Sequence, residues 1–257
     1  MLMANPDRDI LGISVKTLDF GTTLADLTLG LGAGKSQRKV NFLNANNANI
    51  AQNDQAYREA LARSDVLPDG IGVDIAAKML AGAKFPANLN GTDLVPAFFV
   101  FVSRPLKIAL VGAKPDVLQK ALVNFQALTP WHEFKAISDG YFDATEAPRV
   151  LADLAAFKPD VTLVAMGSPA QEKWIDAQFG PEHGKIVFGV GALFDFVSGT
   201  VPRAPRFFRE LRLEWVYRLA KEPGRLWRRY IVGNPVFLYR VLRYKFSSNP
   251  MRTRTVG

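Results

Sequence analysis

Between residues 10 and 191, short β-branched runs alternate with longer segments of helical periodicity, and few folds accommodate that order. It is typical of a parallel sheet whose two faces are covered by helices. Strands are predicted at residues 10–15, 39–44, 107–111, 161–166 and 186–190, with a further one near 134–137. Helices are predicted at residues 49–63, 74–81, 92–102, 115–128, 145–157 and 170–179. We therefore predict an α/β fold: a Rossmann-like, mostly parallel sheet with helices on both faces.

The loops that follow four of the predicted strands contain Asn44, Gly112, Gly167 and Gly191. In open parallel sheets, ligands bind beyond the carboxyl ends of the strands, so we expect these loops to share one rim. Two of the loops, at Gly112 and Gly167, lead from a strand into a helix whose first N–H groups could bind phosphate. After Gly112, Pro115 is placed to open the helix. This rim is the predicted active site.

Positive charge is concentrated at one end of the chain. Residues 201–257 contain 14 basic residues and 3 acidic ones, a net charge of +11, whereas the first 200 residues contain 18 and 21, a net charge of −3. Near residues 199–205, Gly, Pro and Arg replace the alternation of strands and helices. We therefore predict two parts: an α/β catalytic domain at residues 1–200 and a helical, basic and aromatic tail at residues 201–257.

Within the tail, residues 206–246 interleave arginines with Phe, Trp and Tyr. This pattern is typical of a segment at an anionic membrane surface, where arginine meets headgroup phosphates and aromatic rings lie at the boundary between water and lipid. Packing of helices on the body is the structural alternative. The pattern also suits RNA, through phosphate contacts and aromatic stacking. The slightly acidic body and the lack of an RNA-binding signature disfavour that function.

Several kinds of function are disfavoured by what the sequence lacks. There is no cysteine, which excludes disulfides, thiolate metal sites and a cysteine nucleophile. His132 and His183 have no metal-ligand spacing around them and are interpreted as surface or packing residues. Gly34-Lys35-Ser36 does not complete a P-loop, because Leu29 stands where that motif needs its first glycine. A dinucleotide-dependent dehydrogenase is also disfavoured, because no predicted strand is followed by Gly-x-Gly-x-x-Gly. No apolar run approaches the roughly 18 residues that span a bilayer and no secretory signal is visible, so a cytoplasmic protein is expected.

Three polar segments each allow a structural and a functional interpretation. Asp69 stands in a Pro-Asp-Gly sequence, where a carboxylate either caps the following helix or points into a cleft, and spacing alone favours the cap. Residues 88–93 (Asn-Leu-Asn-Gly-Thr-Asp) are typical of a turn followed by a helix N-cap. Residues 167–174 either begin a capped helix or direct Gln171 at a ligand.

Eight short segments, each a weak signal alone, occur in a fixed order along most of the chain. Together they resemble the WecG/TagA/CpsF family of bacterial glycosyltransferases, glycosyltransferase family 26, over about residues 10–230. In order, they are Phe42-Leu43-Asn44-Ala45, Pro68-Asp69-Gly70-Ile71-Gly72-Val73, Asn88-Leu89-Asn90-Gly91-Thr92-Asp93-Leu94, Pro169 with Gln171-Glu172, Gly189-Val190-Gly191-Ala192 with Phe194-Asp195, Arg203-Ala204-Pro205, Leu213-Glu214-Trp215 with Tyr217-Arg218, and Glu222-Pro223 with Arg225 and Arg229-Tyr230.

The resemblance implies an inverting transfer of an N-acetylmannosamine-type sugar from a UDP donor to a saccharide on a polyprenyl diphosphate carrier, in the synthesis of a bacterial surface or exopolysaccharide. It implies that Asp69 is the general base that removes the proton from the acceptor hydroxyl, and not a helix cap. It also implies that no metal ion or other cofactor takes part. Positive groups of the protein must then balance the charge that develops on UDP.

The resemblance further implies which residues bind the substrates. N–H groups after Gly112 and arginines of the tail would neutralise the diphosphate. Phe42 departs from the family pattern, because many members have threonine there, so a hydroxyl contact is absent and the sugar specificity is expected to differ. The substrate-binding residues implied are Asn44, Thr92, Asp93, Gly112, Gln171, Asp195, Arg203, Arg218, Arg225 and Arg229.

The partners implied are a UDP-sugar donor, an acceptor linked to polyprenyl diphosphate, and an anionic membrane. Residues 206–246 would contact that membrane at the inner face of the cell membrane, as a peripheral protein does. No nucleic acid is expected as a partner. The sequence leaves open whether the chain forms a homo-oligomer.

Overall fold

The computed structural model of the protein describes residues 6–32, 34, 36–205, 207–208 and 213–247, with the exception of the side chain of Arg225. Its strands are β1 (Arg8–Ile10), β2 (Ile13–Val15), β3 (Arg38–Leu43), β4 (Asp65–Pro68), β5 (Lys107–Gly112), β6 (Glu133–Ser138), β7 (Val161–Ala165) and β8 (Ile186–Gly189). β1 and β2 form an antiparallel pair. The other six form one parallel sheet in the order β4-β3-β8-β7-β5-β6.

Helices follow most of the strands. They are α1 (Phe20–Gly30), α2 (Ala45–Ala51), α3 (Gln55–Ala62), α4 (Ile71–Ala81), α5 (Gly91–Phe101), α6 (Pro115–Leu128), α7 (Ala147–Phe157), α8 (Ala170–Gln178), α9 (Leu193–Val197), α10 (Glu214–Lys221), α11 (Pro223–Trp227) and α12 (Gly233–Ser247). A 3₁₀ turn lies at Pro181–His183 and a π-helical turn at Arg228–Val232, between α11 and α12.

Alternate side chains of the strands contact helices on opposite faces of the sheet. In β5, Ile108 and Leu110 join a core with α1, α5, α6 and α9, whereas Ala109 and Val111 join a core with α7 and α8. A third core holds α2, α4 and α12 against the β1–β2 pair. The predicted α/β fold, a mostly parallel sheet with helices on both faces and a helical appendage, is confirmed.

The prediction of one strand at residues 10–15 is wrong. Arg8–Ile10 and Ile13–Val15 are the two strands of a hairpin outside the main sheet. Leu11 and Gly12 form its turn with φ of 57° and 84°, the left-handed conformation that suits a two-residue hairpin loop. In the sequence the segment resembles one strand because apolar residues stand on both sides of the turn.

β4 is absent from the predicted strands. It has only four residues and pairs with β3 at the edge of the sheet. Pro68 is its last residue, and a sheet edge tolerates a residue that has no N–H to donate. The short length and the proline obscure this strand in the sequence. It positions the site, because Asp69 follows it directly.

The predicted helix at residues 49–63 is two helices, α2 and α3. A cap separates them: Asp54 accepts a hydrogen bond from the N–H of Tyr57 at 3.0 Å and so starts α3. α1 is absent from the predicted elements, although Asp19 caps it in the same way by accepting from the N–H of Thr22 at 2.8 Å. The predicted helix at residues 115–128 has the observed bounds of α6, which Pro115 opens.

Both histidines are packing residues, as predicted. Nδ1 of His132 accepts a hydrogen bond from the N–H of Leu106 at 3.2 Å, and its Nε2 lies 2.8 Å from the carbonyl oxygen of Phe99. Burial lowers the pKa of His132, so the ring is neutral at pH 7. Nδ1 of His183 accepts from the N–H of Gly180 at 3.0 Å.

Part of the tail packs on the body. Phe237 and Val241 of α12 are buried in the third core. Nδ2 of Asn49 donates to the carbonyl oxygen of Gly233 at 2.8 Å, and Nη1 of Arg240 donates to the carbonyl oxygen of Asn49 at 2.9 Å. Within residues 206–246, residue 206 and residues 209–212 lie outside the described part. Among the described residues of the body and the tail, no helix is long and apolar enough to cross a membrane.

Candidate active site

A cleft of about 1160 Å³ opens at the carboxyl ends of the parallel strands. Asn44 after β3, Ala113 after β5, Gly167 after β7 and Gly191 after β8 all line it. The four predicted loops therefore share one rim, although Ala113 and not Gly112 lines the cleft after β5. A pocket for one small ligand measures about 300–1,000 Å³, so this cleft has room for parts of two substrates.

Asp69 lies on the floor of the cleft, directly after β4. Its N–H donates to the carbonyl oxygen of Leu43 at 2.9 Å, and its Oδ2 accepts from Nδ2 of Asn44 at 3.3 Å. The N-cap of α4 is Gly70, at φ 92°, and no side chain caps this helix. The cap that spacing alone favours for Asp69 is therefore wrong, and the carboxylate faces the cleft. Asn88 fixes the turn, since its Oδ1 accepts from the N–H of Gly70 at 2.7 Å.

Burial raises the pKa of Asp69 above its usual range. The hydrogen bond from Asn44 and the positive charges of Arg229 and Arg218 act in the opposite direction, and the negative charge of Asp93 adds to the rise. A carboxylate with a raised pKa is a stronger base than a free aspartate. This environment suits proton removal.

Arg218 of α10 and Arg229 of the π-helical turn line the cleft. The Nε atom of each is buried and has no hydrogen-bond partner among the described residues. The guanidinium of Arg218 lies 5.3 Å from the centre of the Phe196 ring. This cation–π contact positions the guanidinium through the face of the ring and does not occupy the N–H donors of Arg218. Buried donors of this kind are suited to the oxygens of a phosphate.

Arg203 is bound to the rim of the cleft. Its Nη1 donates to the carbonyl oxygen of Thr92 at 2.9 Å, and its Nη2 forms an ion pair with Asp93. Asn90 caps α5, since its Oδ1 accepts from the N–H of Asp93 at 2.9 Å. The predicted N-cap in residues 88–93 is thereby confirmed. Thr92 and Asp93 line the cleft, whereas the side chain of Arg225 lies outside the described part.

Gln171 joins two loops of the rim. Its Oε1 accepts hydrogen bonds from the N–H of Gly167 at 3.1 Å and from the N–H of Gly191 at 3.0 Å. Its Nε2 donates to Oε1 of Glu172 at 3.0 Å, and the hydroxyl of Ser168 donates to the same oxygen at 2.6 Å. α8 begins at Ala170 without a side-chain cap. Gln171 therefore lines the cleft and also positions the loops after β7 and β8.

Glu172 is the buried centre of this hydrogen-bond network, with 1% of its surface exposed. Burial raises its pKa, and its Oε2 has no partner among the described residues. Nδ2 of Asn47 extends the network, because it donates to the hydroxyl of Ser168 at 3.3 Å and to the carbonyl oxygen of Phe42 at 3.0 Å. The ends of β3, β7 and β8 are thus connected. The Gln-Glu pair at a helix start was the only sequence signal for this role.

Gly112 allows β5 and β7 to end very close together. It has φ of 118°, and a Cβ atom there would lie 2.4 Å from the carbonyl oxygen of Ala165. No other residue fits this position. The next two residues, Ala113 and Lys114, line the cleft, so the first turn of α6 lies at its edge. The positive end of this helix is available to an anion.

Glu214 is a cleft residue that the predicted site did not include. Burial raises its pKa, the guanidinium groups of Arg203 and Arg218 lower it, and the charges of Asp93 and Asp69 raise it further. The sequence signal that could have identified Glu214 as a site residue was its place in the Leu213-Glu214-Trp215 segment, which contributes to the family resemblance. Asp195, which was predicted, also lines the cleft from the first turn of α9. No three His, Asp or Glu side chains of the described residues are grouped so as to hold a metal ion.

Phe42 lines the cleft and is otherwise buried. Its ring packs on the backbone at Gly91, where a Cβ atom would lie 2.9 Å from Cε2 of Phe42. This side chain places an aromatic edge in the cleft in place of a hydroxyl. The ring also explains why residue 91 has no side chain.

A large cleft at the carboxyl edge of a parallel sheet, with a basic carboxylate near two guanidinium groups whose Nε atoms lack a partner among the described residues, has the features of a group-transfer enzyme. Comparison with known families makes this class more specific. The model of the Glycosyl transferase WecG/TagA/CpsF family matches residues 8–250. The chain belongs to this family and is a glycosyltransferase.

Three relatives share one name, N-acetylglucosaminyldiphosphoundecaprenol N-acetyl-beta-D-mannosaminyltransferase. One, from Bacillus spizizenii, is 33% identical over 218 residues, which cover 82% of this chain and 82% of the relative. Another, from Bacillus subtilis, is 32% identical over 79% of this chain and 78% of the relative. A third, from Staphylococcus aureus, is 29% identical over 92% of each chain.

Proposed function

We propose that this glycosyltransferase moves an N-acetylmannosamine-type sugar from a UDP donor to a saccharide carried on polyprenyl diphosphate, with inversion at the anomeric carbon. The names of the relatives describe such a sugar and such an acceptor. The product would contribute to a bacterial surface or exopolysaccharide. Phe42 in the cleft supports a sugar specificity that differs in detail from that of these relatives.

The observation that carries the proposal is Asp69 on the cleft floor with a raised pKa. Its carboxylate takes the proton of the acceptor hydroxyl while the hydroxyl oxygen attacks the anomeric carbon. The bond between that carbon and the β-phosphate oxygen breaks, and its electron pair leaves with UDP. One bond forms, one breaks and the proton stays on Asp69, so the step is balanced.

Protein groups supply the positive charge for the departing UDP, without a metal ion. Arg218 and Arg229 are half-buried near Asp69, the Nε atom of each has no hydrogen-bond partner among the described residues, and the first turn of α6 lies at the edge of the cleft. Such fixed charges and dipoles stabilise a charge that develops during the reaction.

The exposed surface of the π-helical turn and α12 supports a peripheral position on the inner surface of the cell membrane. A stripe of exposed apolar side chains spaced at helical intervals runs along it, with exposed basic residues beside it. Each basic group near an anionic surface contributes about 1 kcal/mol. The stripe comprises Val232, Val236, Tyr239, Leu242 and Phe246, and the basic residues are Arg228, Arg243 and Lys245.

RNA binding has less support as a function of the tail. Arg218 and Arg229 line the cleft, and the rings of Trp215 and Tyr230 lie 5.6 Å apart in the cleft wall, where they are not presented to a nucleic acid strand. Filter binding at physiological salt tests the alternative. Tight retention of RNA would favour it.

A panel of UDP-sugars tests the proposed function. Purified protein is mixed with each UDP-sugar and with a lipid-linked N-acetylglucosaminyl diphosphate, and UDP release is measured with and without a chelator. We expect release with UDP-N-acetylmannosamine or a close analogue, dependent on the acceptor and unchanged by the chelator. If no sugar supports acceptor-dependent release, the assignment of donor and acceptor is wrong. Loss of activity with the chelator would overturn the metal-free mechanism alone.

A further inference from the structure

One wall of the cleft is apolar, although the floor and the opposite wall carry charged groups. This wall lies between α4 of the body and the tail. The side chains that form it, here called the exit strip, are Ile71 and Ile75 from α4 with Ile231, Pro235 and Leu238 from the tail.

The exit strip exists because α4 and α12 both begin at the cleft and pack closely. α4 starts two residues after Asp69, and Pro235 in the first turn of α12 lines the cleft. Gly72 lets α4 approach α2 closely, since a Cβ atom there would lie 3.0 Å from Cβ of Ala45, and the ring of Phe237 on α12 would lie at ordinary contact distance, 3.8 Å. Phe237 and its neighbours fill the space between the helices. The side chains of the exit strip lie beside this contact between α4 and α12 and face the cleft.

Ile75, Ile231 and Pro235 of the strip are exposed, and Ile71 and Leu238 are half-buried. Ile75 is 37% exposed and Ile231 is 56% exposed. Pro235, Leu238 and Leu242 lie at positions i, i+3 and i+7 of α12, so Leu242, which is 44% exposed, continues the strip beyond the cleft. A contiguous exposed apolar surface of this kind usually marks a binding site.

We propose that the exit strip binds the first isoprene units of the acceptor's polyprenyl chain. This inference rests on the proposed function, which places a polyprenyl diphosphate in the cleft. The acceptor's sugar must reach Asp69 in the cleft, and the hydrocarbon attached through its diphosphate must leave the cleft along a surface without charges. The strip is continuous with the cleft at Asp69 and with the exposed stripe of α12. It therefore leads from the reacting centre towards the lipid.

A chain held by the strip contributes to substrate binding and does not only anchor the acceptor in a membrane. Hydrophobic burial grows with the apolar area that is covered. In solution, without any membrane, transfer should therefore become more efficient as the chain is lengthened, until the strip is filled.

The test uses the full-length protein and three water-soluble acceptors, the methyl, geranyl and farnesyl esters of N-acetylglucosaminyl diphosphate. For each acceptor, kcat/KM for sugar transfer is measured below the concentration at which micelles form. We expect the farnesyl ester to exceed the methyl ester by at least tenfold in the wild-type protein. In Ile75→Asn and in Ile231→Asn this ratio should fall several-fold towards one. Both side chains are substantially exposed, so the variants are expected to fold.

Val123→Asn is the matched control, because Val123 is an exposed aliphatic residue, 64% accessible, on α6 at the other face of the sheet. It should keep the wild-type ratio. Equal kcat/KM for all three acceptors in the wild-type protein overturns the strip while leaving the proposed function intact. A wild-type ratio in both Asn variants also overturns it, because the chain then binds elsewhere. Absence of transfer to every acceptor is the different result that overturns the proposed function itself.

Discussion

Asp69 is the general base in the proposed mechanism, so its replacement gives the most direct prediction. Asp69→Asn keeps the size of the side chain and the contact with Asn44 but removes the base. We expect a folded protein whose transfer rate is lower by at least about a hundredfold, the lower range for loss of a general base. Steady-state turnover with saturating substrates measures this. Asp153→Asn, at an exposed position on α7, is the control, and near-normal turnover of Asp69→Asn would exclude the assigned role.

The raised pKa of Asp69 also makes a prediction about stability. Burial raises this pKa in the folded protein, so the folded state holds the proton more tightly than the unfolded state. The stabilising contribution of the protonated group is fully present below the unfolded pKa of about 3.9 and is lost as the pH rises through the folded pKa. Asp69→Asn is neutral at every pH and avoids that loss. Its melting temperature should match or exceed that of the wild-type protein at pH 7.

The measurement is a series of melting curves for both proteins at stepped pH values. The difference in melting temperature, variant minus wild type, should grow from about pH 4 upwards, where the free carboxyl ionises. A clear wild-type advantage at pH 7 would mean that Arg218 and Arg229 stabilise the carboxylate by more than burial destabilises it. Asp69 would then lack the raised pKa on which its role as base partly depends.

At the scale of elements, the predicted and the missed features have physical causes. α6 was predicted with its observed bounds because Pro115 opens a long amphipathic pattern. The rim was predictable because the strands of a parallel sheet end at one edge. β4 was missed because a four-residue edge strand that ends in Pro68 gives almost no periodicity. The network at Glu172 could not be predicted, because it connects side chains from α2, the loop after β7 and α8 that meet only in the fold.

That network predicts a second role for the start of α8. Glu172→Leu removes the acceptor of two hydrogen bonds and leaves the donors of Ser168 and Gln171 unpaired, at a cost of about 1–3 kcal/mol for each buried group. Because the loops at Gly167 and Gly191 then lose their common support, we expect kcat/KM to fall at least about tenfold. Glu172→Gln retains an acceptor oxygen and should restore most of the activity.

A loss of stability alone has to be separated from this positional effect. Thr162→Val is the matched control, since it deletes a buried hydrogen bond to the carbonyl oxygen of His183, 2.6 Å long, at the other end of β7. Melting curves and kinetics of the three variants are compared. If Thr162→Val lowers kcat/KM as much as Glu172→Leu does, the network stabilises the fold without positioning the rim.

At the scale of the whole molecule, the tail belongs to both the cleft and the outer surface. The body carries a net charge of −3 and residues 201–257 carry +11, and that difference alone indicates only attraction to something anionic. The structure divides the positive groups: Arg218 and Arg229 line the cleft, whereas Arg243 and Lys245 are exposed on α12. The tail therefore places basic groups both in the cleft and on the outer surface, as the proposed binding of substrate phosphate and of lipid phosphate requires.

This division predicts that membrane binding can be weakened without disturbing the chemistry. Tyr239 and Phe246 are 65% and 75% exposed on α12 and belong to the stripe proposed to contact lipid. The double variant Tyr239→Ser, Phe246→Ser should bind vesicles that contain anionic lipid at least about tenfold more weakly, because two rings no longer enter the interface. Vesicle sedimentation measures the binding.

Salt and lipid charge identify the electrostatic part of the same interaction. Wild-type binding should weaken between low salt and about 0.5 M salt, because the Debye length falls well below 10 Å, and it should be weak on vesicles of zwitterionic lipid alone. Transfer to the water-soluble methyl ester should stay near the wild-type rate in the double variant, since neither side chain lines the cleft. Unchanged vesicle binding by the double variant would show that the contact with lipid lies on another surface, and the exit strip would then have to lead towards that surface.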